Sequence, residues 1–302
     1  MFRLSRSGIA LILGGASALL GPSVHAAVQV SASLSGIGYE LHALDVGATP
    51  QATFNALSTN TGTVSAETYV DSGATLLSSA SGSQAVDGLL GTMSIQAVQP
   101  SSLASVVIGS GTMTDTVDVS ASGQAAGVPG TTQLSNFYAV GGAPVGAEFT
   151  LSAQTSITFF ATVSLQASTS VGLDAVTGQG EWGLASVSFY VDGTGATGTD
   201  YQSSEFYKDL FASYTLDAGS GNPLGENQSF NDVLAVTFYN NSNAAITGAF
   251  YAQVTASGES AATPVPEPES WALLLAGLAV VAPAAARRCE RRRVSSQCCQ
   301  AT

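Results

Sequence analysis

Cysteine and basic residues are scarce in this chain of 302 residues, and nearly all of them gather at its two ends. Cys289, Cys298 and Cys299 lie beyond Ala286, so the residues before them hold no disulfide framework, no cysteine nucleophile and no cysteine metal site. Of the 8 Lys and Arg, Arg3 and Arg6 stand at the N-terminus and Arg287, Arg288, Arg291, Arg292 and Arg293 near the C-terminus, which leaves Lys208 alone between them. Setting Glu267, Glu269 and Glu290 aside from the 21 acidic residues leaves 18 against that one lysine, a formal charge of −17. One lysine cannot neutralise a phosphate backbone, so nucleic acid is excluded as a partner. Acidic polymers are repelled unless a divalent cation bridges the two, whereas neutral glycans and cations remain compatible. An amphipathic helical period is also missing from the middle of the chain.

What is present begins with a leader. Residues Met1 to Ala26 carry Arg3 and Arg6, an apolar run from Ile9 to Leu20 and the small-residue end Val24-His25-Ala26, the pattern of a secretory signal peptide with cleavage expected after Ala26. The apolar run is short for a permanent anchor. An exported part then runs from Ala27 to about Ala262, a length that suits one sizeable all-β domain.

Period-two alternation fills that part. Val28, Val30, Ala32 and Leu34 oppose Gln29, Ser31 and Ser33; Ile37, Tyr39 and Leu41 oppose Glu40 and His42; Ile157, Phe159, Ala161, Val163 and Leu165 oppose Thr158, Thr162, Ser164 and Gln166. The pattern recurs at Ala185-Val187-Phe189-Val191, Leu234-Val236-Phe238 and Ile246-Gly248-Phe250-Ala252-Val254. Half-buried strands of this kind pack as paired sheets, so an all-β fold is expected: a β-sandwich spanning residues 27–262, for which a jelly-roll topology is one arrangement. The expected core holds Ile157, Phe159, Val163, Phe189, Phe238 and Phe250. A one-sheet solenoid would need a fixed repeat, and the strand spacings are irregular. The small-residue stretches Leu76 to Ala85 and Gly123 to Gln133 read as edge loops, and Asn240-Asn241-Ser242-Asn243 as the turn of a hairpin joining the last two strands.

Motifs with chemistry are sparse. Gly178-Gln179-Gly180-Glu181-Trp182-Gly183 matches a dinucleotide fingerprint in letters, but a strand pattern follows where a helix is required, so it reads as a turn. His42, the one histidine after the leader, lies on a polar strand face without a Gly-x-Ser-x-Gly elbow. Glu181 with Asp192, or Glu205 with Asp209, are carboxylate pairs of the residue type a glycosidase uses, yet with so many acidic residues solvated surface groups are the better reading. Asp192 and Asp200 flank a glycine-rich loop that would suit calcium as a metal site. Tyr138, Trp182, Tyr190, Tyr201, Tyr207, Tyr214 and Tyr239 include candidates for a sugar-stacking platform.

The most specific stretch is the tail. Pro264-Val265-Pro266-Glu267-Pro268 is an extended, exposed linker, because each proline removes a donor and biases its neighbour away from helix. From Trp271 to Ala286 no charge occurs, and Leu273, Leu274, Leu275 and Leu278 dominate a transmembrane helix of about 24 Å at 1.5 Å per residue. Arg287, Arg288, Arg291, Arg292 and Arg293 act as the stop-transfer cluster, with residues 294–302 as a cytoplasmic tail. Pro266-Glu267-Pro268, then Trp271 with its leucines, then arginines, resembles the PEP-CTERM sorting signal of exported proteins in Gram-negative bacteria that make extracellular polysaccharide. The resemblance covers residues 263–293. It implies recognition of Pro266, Glu267 and Pro268 by a membrane-embedded exosortase, cleavage near them and release of the exported part. The whole chain reads as an exported, acidic, non-catalytic surface protein associated with exopolysaccharide matrix. A carbohydrate-binding module is the second reading and a secreted glycosidase or other hydrolase the third.

Overall fold

The computed structural model describes residues 27–56, 60–70, 75–86, 93–109, 117–127, 133–143, 147–170, 173, 180–194 and 201–260. The leader, the loop residue Asp200 and the whole tail, including the expected helix over 271–286, lie outside them. Every named element is a strand: β1 (Ala27–Ala43), β2 (Ala52–Ala56), β3 (Asn60–Val70), β4 (Thr75–Val86), β5 (Met93–Gln99), β6 (Ser102–Ile108), β7 (Val117–Ala126), β8 (Leu134–Ala143), β9 (Ala147–Leu151), β10 (Thr155–Thr169), β11 (Trp182–Thr194), β12 (Tyr201–Ala212), β13 (Tyr214–Leu216), β14 (Pro223–Gly225), β15 (Asn227–Asn240) and β16 (Ile246–Ser260). All pairings are antiparallel. Six strands form one sheet in the order β15-β10-β1-β7-β6-β5, and eight form a second along β12-β11-β16-β8-β3-β4, with β2 and β9 continuing it beside β16. The short pair β13-β14 stands apart. These sheets of six and eight strands are larger than the two four-stranded sheets of a jelly roll.

Strand β1 shows how the sequence sets this up. Its buried positions run over even residues from Val28 to Leu34 and then switch phase to Ile37. The switch is a β-bulge: the register shifts between Leu34 and Ile37 against β7, and between Ser35 and Gly38 against β10. Gly36 absorbs it at φ +65°, where a side chain would be strained, and its N–H donates to Asp118 Oδ1 at 2.9 Å.

Both sheets bury their inner faces in one core. Phe159 and Phe238 come from the six-stranded sheet, and Phe149, Phe189 and Phe250 from the other. Phe159 stacks on Phe250 with centroids 4.3 Å apart and planes at 10°, and Phe189 meets Phe250 edge-on at 5.0 Å. Each ring out of water contributes roughly 1.5–3 kcal/mol. Elsewhere Phe137 of β8 fills space left by two glycines; a Cβ on Gly123 would come within 2.0 Å of its ring, and one on Gly258 within 2.8 Å. All six expected core residues are buried.

Two expectations are corrected. Leu76 to Ala85 is not a loop but most of β4, the outermost strand of its sheet, and Gly123 to Ala126 belongs to β7. Ser, Ala and Gly carry little strand preference, so the backbone ladder rather than the side chains defines these strands. The last two strands are not a hairpin either. β15 pairs with β10 in one sheet and β16 with β11 in the other, so the Asn-rich segment crosses from sheet to sheet. Asn240 holds that corner: its Nδ2 donates to the carbonyls of Leu151, Ser152 and Ala244 at 3.1, 2.9 and 2.8 Å, while its Oδ1 accepts from Ser242 N and Oγ at 3.0 and 2.7 Å.

Candidate functional site: two outer faces of opposite chemistry

Cross-strand partners share a face, so the register reads out each surface row by row. On the six-stranded sheet one row runs Ser229, Gln166, Ser31, Ser122, Ser105, Gln96 across all six strands. The row on one side runs from Asn231 through Ser164, Ser33 and Ser120, and the row on the other from Asn227 through Ser168, Gln29 and Gln124. None of the three contains an ionisable group, over a width of about 24 Å at ~4.8 Å per strand. Beyond them Phe160 lies between Gly38 and Ala235; a Cβ on Gly38 would meet the ring at 2.9 Å, so the ring reaches across the glycine, half-buried against the sheet. Val233 stands exposed in the next row toward the uncharged ones, and Tyr239 stands exposed two rows away in the other direction. The charges on this face, Glu40, His42 and Asp118, keep to one end, with His42 Nε2 3.7 Å from Glu40 Oε2.

The eight-stranded sheet presents tyrosines among carboxylates. Tyr190 of β11 and Tyr251 of β16 are direct partners, with rings stacked at 4.7 Å and 18°. Partners that stack across neighbouring strands turn ring edges to solvent, so this pair is not a flat platform for sugar. Tyr201 OH donates to Asp192 Oδ2 at 2.9 Å, and Glu205 stands opposite Tyr190. Burial, then the neighbouring Tyr251, Asp192 and Glu205, push the Tyr190 phenol up; burial, then Asp192 and Glu148, do the same to Tyr251. Tyr207 lies on the same face, as does Tyr138 on β8 and Trp182 at the start of β11. Tyr214 belongs to β13, and Tyr239 to the opposite face of the molecule.

The proposed carboxylate pairs do not meet. Glu181 and Asp192 stand at opposite ends of β11, about 36 Å apart at ~3.3 Å per residue, and Glu205 and Asp209 are about 13 Å apart along β12. A glycosidase pair needs about 5–9.5 Å. Glu181 is buried and structural: its Oε2 accepts from Ser170 N at 3.0 Å and its Oε1 from Ser260 Oγ at 3.0 Å, which ties β10 and β16 to the start of β11. A strand, β11, begins within the glycine-rich fingerprint at Trp182, where a dinucleotide site requires a helix; Gly178 and Gln179 lie outside the described residues. Of the calcium candidates Asp192 is placed, accepting from Tyr201, and Asp200 lies outside the described residues. Tyr251 and Phe160, which shape the two faces, are aromatic residues that sequence reasoning missed, because each sits at an outward position within an alternating strand.

These features define an all-β, antiparallel protein with segregated surface charge among its described residues. Its address comes from the tail, where residues 264–292 match the family model described as the PEP-CTERM protein-sorting motif. The motif implies an exported protein, sorted at the membrane and processed by an exosortase. No curated protein and no solved structure matches the chain.

Proposed function

We propose that the exported part is a β-sandwich that serves without catalysis at the cell surface, held to neutral polysaccharide of the surrounding matrix through the outer face of its six-stranded sheet. The observation that carries this reading is the charge segregation. In a part with a formal charge of −17, three rows across six strands present only hydroxyls, amides and a few apolar side chains. Ser, Asn and Gln both donate and accept, as sugar hydroxyls do, whereas a carboxylate only accepts and repels acidic chains. The half-buried Phe160 and exposed Val233 supply an apolar strip for the C–H face of a sugar ring. Retention of the exported protein on immobilised neutral and acidic polysaccharides tests it. Retention on neutral polymer, lost in the Ser31→Asp, Ser122→Asp variant with its circular dichroism unchanged, is expected. Equal retention on acidic polymer, or an indifferent variant, counts against the reading.

A further inference from the structure

Among the described residues the two large sheets have five outermost strands, β15 and β5 on one and β12, β4 and the 5-residue β2 on the other. Such strands leave backbone donors and acceptors unpaired, and proteins blunt them with charge, proline or brevity. β12 carries Glu205, Lys208 and Asp209, β15 carries Asp232, and β5 is only 7 residues long. β4 is 12 residues long and has no charge and no proline. Its one irregularity is a bulge at Leu77, where the register to β3 shifts between Ser78 and Leu76. From Ser78 to Val86 the pairing with β3 is unbroken, so this run is straight enough to template another strand. Ser79, Ser81 and Ser83 point outward and exposed, and Leu76 and Leu77 are 49% and 50% exposed.

We infer that β4 pairs antiparallel with β4 of a second copy, joining two eight-stranded sheets into one across a two-fold axis. Copies that each carry a formal charge of −17 repel, and that repulsion is least where the facing strands hold no charge. A strand of Ser, Ala and Gly is complementary to itself, and a two-fold contact uses up both edges, so it closes as a dimer rather than a fibre.

Sedimentation velocity on the exported protein recovered from its host should give twice the monomer mass. Hydrogen exchange of the amides over 78–86 should slow as concentration rises. Ser81→Lys with Ser83→Lys sets like charges along both strands and should abolish the dimer, as should the matching glutamate pair; mixing the two variants should restore a heterodimer. A native monomer at all concentrations overturns the inference, as does concentration-independent exchange over 78–86, or a dimer that survives both charged variants. The exchange measurement uses the native chain and therefore decides the matter even if a variant fails to fold.

Discussion

Glu259 is half-buried on the outer face of β16, between Trp182 of β11 and Asn136 of β8, and Asn136 in turn partners Glu67 of β3. Burial pushes its carboxyl above the ordinary glutamate value. The folded chain therefore holds this proton more tightly than the unfolded chain, and the ionised form weakens the fold at neutral pH. That loss is relieved as pH falls through the raised folded value and is gone below the unfolded value, about 4.3. Glu259→Gln should raise the thermal midpoint at pH 7 and remove its share of the gain on mild acidification; melting curves over a pH series check this, and an unchanged profile would assign the burial no electrostatic cost. At this scale alternation reveals which residues are inside, as Phe159 and Phe250 show. It does not reveal Glu181, whose partners Ser170 and Ser260 stand outside any alternating pattern it shares, one of them 79 residues away, nor the outward aromatics Phe160 and Tyr251.

Elements were legible in phase where apolar residues alternate, as in β1, β10, β11, β15 and β16, but neither in number nor in partnership, since the Ser-rich β4 reads as a loop. The switch of apolar positions from Leu34 to Ile37 is visible in the sequence, and the bulge at Gly36 is its physical cause. The corner between β15 and β16 was not legible, because two alternating strands joined by Asn-Asn-Ser-Asn look alike whether they fold back in one sheet or cross to the facing one. What separates the cases is Asn240, which donates to three carbonyls, at the end of β9, just beyond it and in the crossing to β16. Asn240→Ala removes the buried amide that donates to Leu151 and Ser152 and accepts from Ser242, and should cost about 1–3 kcal/mol in chemical denaturation, more than an exposed Asn243→Ala control. Equal effects from both would mean that the corner is held by the packing of Ile246 and Leu151 rather than by the amide.

For the whole molecule the two ends of the exported part carry the consequence. Ala27 N donates to Ser170 Oγ at 2.8 Å, Ser170 N donates to Glu181, and Ser260 Oγ donates to Glu181 as well, so the first and last described residues meet at one end of the sheets. Ala27 and Ser260, the described residues nearest in sequence to the expected signal cleavage and to the sorting motif, thus lie at the same end of the sheets. Processing near Pro266-Glu267-Pro268 removes Trp271 to Thr302, and with them every cysteine and all five tail arginines, whereas an ordinary anchor keeps them. The hydrophobic stretch, about 24 Å as a helix against a hydrocarbon core of ~30 Å, suits a transient hold better than a permanent span. The extracellular protein should therefore have an intact mass that ends near the motif and should show no reaction with thiol reagents. Glu267→Ala and a host lacking the processing enzyme should each leave the precursor in the membrane at full length; a full-length, thiol-reactive product in the membrane of the normal host would overturn processing and leave the anchor reading standing.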